Sequence, residues 1–418
     1  MKGNIIAALL LMICSAVHAG ENEKVKTGLN FAPYPVIGFS TDLGAQYGIN
    51  CTIYNYGDGS IFPNYKHKLN FEASKYTKGQ VTFKGNFNSD YLIPGIRFSA
   101  ALAYQNNPMY HFYGINGSAT PYHKELDHRN GNAYYNVDRT VIRAFATFQG
   151  EITEGLKWAA GANFYSYTIG SVDRSLGYDS DFSLYNDYIR EGFIRENEAG
   201  GGNVFELIAG LAYDTRDALS IPSKGIWSEL FMTGSPDAFN DGYSYLKLNA
   251  QFRHYIGILD NDRLTFAYNI AYQGLLCGEM PFYILQNLNA LVIKKTIYEG
   301  LGNKNTIRGS LYNRFLGNSY FWSNFELRMK LFSFNAIRQS FYIAMNPFLD
   351  CGAIVEPFRM EHLKGTQVYK DATKLHESAG MGLKLVMNRN FIMSFEAAKP
   401  FNPDDGRFDF IMGANYLF

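Results

Sequence analysis

Two groups of charged residues in this chain are spaced so that they could act together. The first includes Asn305-Thr306-Ile307-Arg308-Gly309-Ser310, inside the longest stretch without strand periodicity. Taken alone, an arginine beside a glycine reads as a solvated loop tip. Downstream, Asn324-Phe325-Glu326-Leu327-Arg328 and Phe348-Leu349-Asp350-Cys351-Gly352 each set a carboxylate into an alternating run. In strict alternation Glu326 shares a face with Trp322, Asn324 and Arg328, and Asp350 keeps step with Phe348. A carboxylate facing lipid is costly, so in a membrane wall both are expected to point inward and to seek a cation. The chemistry on offer is ion pairing in a restricted space.

The second group is Tyr213-Asp214-Thr215-Arg216-Asp217 with Pro222-Ser223-Lys224-Gly225. Proline and glycine fix a turn. Asp214, Arg216 and Asp217 can form a charge network at its rim, and on chemistry alone this reads as a well-capped turn.

Catalytic patterns are missing: there is no G-x-S-x-G elbow, phosphate loop or H-E-x-x-H. His123-Lys124-Glu125-Leu126-Asp127-His128 holds candidate ligands with no second cluster to support them, and Asp179, Asp181 and Asp187 lack a calcium-loop pattern. Cys51, Cys277 and Cys351 make no C-x-x-C. No enzyme, cofactor or metal is expected. Formal net charge is zero, so nothing points to nucleic acid.

The elements that must carry these residues are strands. Phe408, Phe410, Met412, Ala414, Tyr416 and Phe418 fall on one side of a final extended run that closes on an aromatic residue, with Phe410, Tyr416 and Phe418 as its signal. Such an ending is typical of the closing strand of an outer-membrane barrel. Alternation recurs at 45–56, 95–105 and 155–168. In all, sixteen strands are expected near 31–41, 45–56, 65–75, 79–89, 95–105, 137–149, 155–168, 200–214, 224–233, 242–256, 262–275, 320–332, 339–350, 376–388, 390–399 and 408–418. The long connections 106–136, 169–199, 276–319 and 351–375 then all share one end, and short turns dominate the other. The chain's 31 Tyr and 33 Phe suit aromatic girdles at two interfaces. After residue 20 no window approaches the ~20 apolar residues of a membrane helix. The expected fold is all-β, a 16-stranded antiparallel transmembrane outer-membrane β-barrel over 31–418.

At the start, Met1-Lys2, the apolar run Ile5 to Ala16 and Val17-His18-Ala19 read as a signal peptide over 1–19, followed by a short segment at 20–30. Pro33-Tyr34-Pro35 interrupts the first strand with residues that cannot donate to a ladder and belong on edges. The plainer reading starts the ladder after Pro35.

The order Y-D-x-R-D…P-x-K-G, arginine–glycine loop, N-x-E-L-R strand and F-x-D-x-G strand resembles the outer-membrane insertase barrels, the BamA/TamA family, also called the bacterial surface-antigen domain. Met109-Tyr110-His111-Phe112-Tyr113-Gly114-Ile115 is similar to a further stretch of these barrels. The resemblance implies that the 276–319 loop folds back into the lumen, where Arg308 beside Gly309 meets Glu326 and Asp350. It also implies a first-to-last-strand seam that opens toward lipid, and a role in inserting, assembling or translocating outer-membrane proteins or lipids. Characterised insertases receive substrates through periplasmic repeat domains. The short 20–30 segment therefore implies a separate periplasmic or outer-membrane assembly partner, besides outer-membrane lipid. A passive channel or porin and a structural surface-antigen barrel are the alternatives.

Overall fold

The computed structural model describes residues 25–40, 43–62, 64–126, 133–237, 242–259, 262–291, 298–302, 304–336, 339–388, 391–414 and 416–418. The expected signal peptide, residues 20–24 of the segment after it, and Asp127 and His128 of the histidine-rich loop lie outside the described residues.

Strands β1 (Leu29–Ser40), β2 (Gly44–Asn55), β3 (His67–Tyr76), β4 (Val81–Ile93), β5 (Ile96–His111) and β6 (Asn136–Thr153) open the chain. They are followed by β7 (Leu156–Gly170), β8 (Gly201–Asp214), β9 (Gly225–Ser235), β10 (Tyr245–Leu259) and β11 (Leu264–Gly278). A two-stranded hairpin, β12 (Asn287–Leu288) and β13 (Tyr298–Glu299), lies within the next connection. The wall resumes with β14 (Ser319–Ala336), β15 (Gln339–Glu356), β16 (His376–Met387), β17 (Phe391–Pro400) and β18 (Asp409–Ala414). Leaving aside β12 and β13, the other sixteen strands form a closed antiparallel barrel in which each pairs with its neighbours in sequence and β1 meets β18.

Alternation sorts the wall into two media. Phe71, Phe83, Leu102, Leu207, Leu230, Met381 and Leu383 point outward and are about half exposed. Asn249, Arg253, Lys247, Asn346 and Lys384, on the other face, are buried in the lumen. Apolar residues outside and polar residues turned inward are what hydrocarbon requires of a spanning sheet.

Several strands run longer than their alternation suggested. β5 continues to His111 and β15 to Glu356, so the long connections shrink to 112–135, 171–200, 279–318 and 357–375, all at one end. At that end Phe112, Tyr113, Tyr135, Tyr185, Phe282 and Tyr283 pack into an aromatic dome over the lumen. The Met109–Ile115 stretch feeds this dome.

Two expectations fail at the closure. The ladder with β2 begins at Leu29, so both prolines lie inside it, Pro33 opposite Cys51 and Pro35 opposite Ile49. At the other edge the last strand stops at Ala414, short of Tyr416 and Phe418. β1 pairs with β2 at all twelve of its residues but, among the described residues, with β18 only through Phe39 and Met412.

Candidate functional site

Arg308 sits inside the barrel, fully buried. Its Nε and Nη2 donate to the two oxygens of Asp350 on β15 at 2.7 and 2.8 Å, and its backbone N–H adds a third bond of 3.1 Å. Nη1 reaches Glu326 on β14 at 2.8 Å and Glu396 on β17 at 3.1 Å. The guanidinium plane stacks on Phe348, 3.4 Å from the ring centroid. Two further cations complete the set: Arg328 donates to Glu326 at 2.9 Å and Lys384 to Glu396 at 2.6 Å. Three carboxylates thus face three cations. A charge-balanced, densely bonded cluster of this kind is tolerated away from water, whereas removing one member strands a buried charge.

Backbone geometry brings the arginine there. Gly309 has φ +87°, and a Cβ on it would come within 3.1 Å of the backbone at Ala398 and Lys399. Only glycine lets the loop lie this close to β17. Ser310 then bridges to Gly406, and the Leu311 N–H bonds to Asp405 O at 2.7 Å.

The same loop is held to the far wall by the opposite charge. Glu299 of β13, buried, accepts from Arg139 of β6 at 3.1 Å and ion-pairs with Arg143 of the same strand. The Tyr312 hydroxyl donates to it at 2.9 Å, and the Arg139 guanidinium stacks on Tyr110. A third hold is Asn289, whose amide donates to Glu206 of β8 at 2.9 Å beside Lys247 of β10. The 279–318 loop therefore crosses the lumen, with a cation fixed to β14, β15 and β17 and an anion fixed to β6.

The remaining predicted residues gather at the short-turn end. Arg216 holds Asp214 through two bonds of 2.7 Å and stacks on Trp227. Burial works against charge on Arg216, but Asp214 outweighs it and holds the guanidinium above its ordinary range. Asp217 accepts from Ser223 Oγ at 2.5 Å and from the backbone of Ser223 and Lys224. Gly225, at φ +101°, leaves no room for a Cβ against Thr215 O. Pro222 is buried, and the adjacent Ile221 packs against a cluster of Tyr342, Val386, Ile392 and Tyr416. The turn is thus more than capped: it folds across the mouth of the barrel onto β15–β17.

The end of the chain meets it there. Phe410 stays outward and half exposed, as expected. Tyr416 and Phe418 instead turn inward onto Arg328, which stacks on both rings and donates to the Phe418 backbone oxygen at 2.8 Å. Phe418 also lies against Tyr255 of β10. Three sequence motifs that are far apart in the chain are therefore linked along one path, Arg308–Glu326–Arg328–Phe418. Glu396, Lys384, Glu299, Arg139 and Arg143 were not singled out in the sequence. Glu396, Lys384, Arg139 and Arg143 are charges on the inward face of wall strands, the same signal that marked Glu326, whereas Glu299 lies on the short hairpin of the loop; nothing in the spacing names their partners. Among the described residues no group of histidine, cysteine and carboxylates is arranged to hold a metal.

A closed sixteen-stranded wall, apolar outside and charged within, with a long loop locked in its lumen, defines a transmembrane outer-membrane β-barrel. The chain matches the Omp85 superfamily domain over residues 64–416 and belongs to that superfamily. Among solved structures it is similar to BamA from Haemophilus ducreyi lacking POTRA domains 1–3, at 14% identity and a TM-score of 0.60, covering 94% of this chain and 71% of that one. It is also similar to CdiB from Escherichia coli, at 10% identity and a TM-score of 0.57, covering 95% of this chain and 66% of that one. At these identities the likeness concerns the fold. No curated protein sequence matches the chain.

Proposed function

We propose that this protein inserts, assembles or translocates outer-membrane proteins or lipids by parting its wall between β1 and β18, in the bacterial outer membrane and with a separate partner at the short-turn end. The observation that carries this reading is the seam. Among the described residues one paired position joins β1 to β18, while β17 and β18 pair at six and β1 and β2 at twelve. Unpaired backbone groups facing hydrocarbon cost several kcal/mol each, so this line is where the wall is weakest and where an incoming strand edge would be accommodated. The aromatic dome and the locked loop argue against a passive channel.

The test is a reversible lock. With Cys51, Cys277 and Cys351 replaced by serine, a Phe39→Cys/Met412→Cys pair would bridge the seam. In liposomes the reduced protein should speed the folding of a second barrel, and oxidation should abolish the effect. Equal activity in both states, or steady size-selective conductance without any folding effect, would rule the reading out.

A further inference from the structure

At the short-turn end one hairpin outruns its neighbour. β14 pairs with β11 only as far as Met329, opposite Leu264, and the Lys330 N–H then bonds to Arg263 O at 2.9 Å. Leu331 to Ala336 continue beyond this point, roughly 20 Å of strand at ~3.3 Å per residue; Leu331 is a bulge, and Phe332 to Ala336 pair with β15 alone. Leu331, Phe332, Ser333, Phe334 and Asn335 are exposed in succession, so both faces stand clear of the wall. On the β11 side no described residue takes up the backbone groups of this edge. Beyond the bulge at Leu331, the segment Phe332–Ala336 carries no charge and no proline, two of the usual protections of an open edge. Where it begins, Arg263, Lys330, Ser333, Ser340, Tyr342 and Asn388 line an open groove of about 700 Å³. Lys330 lies 3.7 Å from Asp262, and the Arg263 guanidinium has no partner among the described residues.

The geometry points to an interaction site for an extended polypeptide, which adds as an antiparallel strand to the Leu331–Ala336 edge and places a carboxylate at its C-terminal end beside Arg263 and Lys330. Backbone chemistry selects this occupant. Hydrocarbon cannot satisfy an open row of N–H and C=O groups, so lipid is a poor cover for the edge. A second copy is excluded by direction: two barrels oriented alike in one membrane bring their β14 edges together parallel, and a twofold axis along the strands cannot repeat the slanted bonds of a parallel ladder. A separate strand satisfies the row, as in β-augmentation. The two cations sit where β14 leaves β11, which is where the C-terminal end of an antiparallel strand arrives. The site goes beyond the seam reading and does not depend on it.

The probe is a fluorescein-labelled hexapeptide of alternating threonine and valine ending in glutamate, amidated, added to the full protein in phosphatidylcholine nanodiscs. Anisotropy should report binding, and the fully N-methylated peptide should not bind. Arg263→Glu should weaken binding about tenfold, the scale of one charge-assisted hydrogen bond. Amide exchange across 331–336 should slow when the peptide is present. The proposal falls if both peptides bind equally, if Arg263→Glu has no effect, or if exchange at 331–336 is unchanged. It also falls if those amides slow only on adding phosphatidylglycerol, which assigns the edge to lipid, or only as the protein dimerises.

Discussion

The guanidinium of Arg328 donates a 2.8 Å hydrogen bond to the backbone oxygen of Phe418 while stacking on the Phe418 ring. This contact shows where the end of the chain goes once the barrel wall gives it up. Continuing the Phe39–Met412 register would set Ala414 opposite Ile37, Tyr416 opposite Pro35 and Phe418 opposite Pro33. The two prolines are two residues apart and so address the same edge of β1. Because the β2 ladder runs unbroken past both, the missing donors fall on the β18 side. The final residues find no ladder there, and Arg328 takes them inward.

Replacing Pro33 and Pro35 together by valine should therefore restore two donors and lengthen the seam. The expected result is stronger exchange protection of the 412–418 amides and, if the seam is the working part, slower assistance to a second barrel. Unchanged protection would show that Arg328 alone sets the inward turn.

Arg308→Ala leaves Glu326, Asp350 and Glu396 facing only Arg328 and Lys384. Loss of one partner of a buried ion pair costs about 3–5 kcal/mol. The folded, heat-modifiable band on gels should disappear at a lower temperature, with a lower folded yield. Arg308→Lys keeps the charge but not the two-pronged hold on Asp350, and should fall between the two.

Glu299→Gln removes the opposite anchor and leaves Arg139 and Arg143 buried without a carboxylate. Single-channel recordings should show the loop leaving its place as intermittent conductance steps that are rare in the wild type. The double variant with Arg308→Ala should destabilise by less than the sum of the two, because once one end of the loop is free the other has less left to lose.

At the short-turn end, burial opposes charge on Asp217, but the bonds from Ser223 and Lys224 prevail and hold its carboxyl below the ordinary value of 3.8. A group whose pKa is depressed by folding adds stability above its unfolded pKa and loses it as pH falls through the folded one. The wild type should lose stability faster than Asp217→Asn as the pH drops below about 4. Parallel unfolding curves across that range would remove Asp217 from the account.

Much of this architecture was legible in the sequence because a membrane wall obeys a period of two. All sixteen strands could be located, and the rule that a wall carboxylate must face the lumen placed Glu326 and Asp350. The same rule applies to Glu396, Lys384, Arg139 and Arg143, but alternation gives a face without giving a register: Lys384 meets Glu396 on the neighbouring strand, while Arg139 and Arg143 meet Glu299 from a distant loop. Pro33 and Pro35 were recognised as edge residues. That they lie within the ladder, with their bare side toward β18, follows only from the pairing with β2. Tyr416 and Phe418 kept perfect alternation, yet they leave the sheet because their potential partner strand cannot donate. The β8–β9 turn read as a local cap, since nothing local shows that Ile221 crosses the mouth.

The loop that joins Arg308 on one side of the lumen to Glu299 on the other works as a tie rod. Lateral pressure in a bilayer tends to flatten a cylinder that is slit along one line, and the strands bordering the slit would then drift out of reach of each other. A cross-member fixed at both ends keeps the section round. In the seam opening proposed above, the slit gapes and recloses without the cylinder losing its shape.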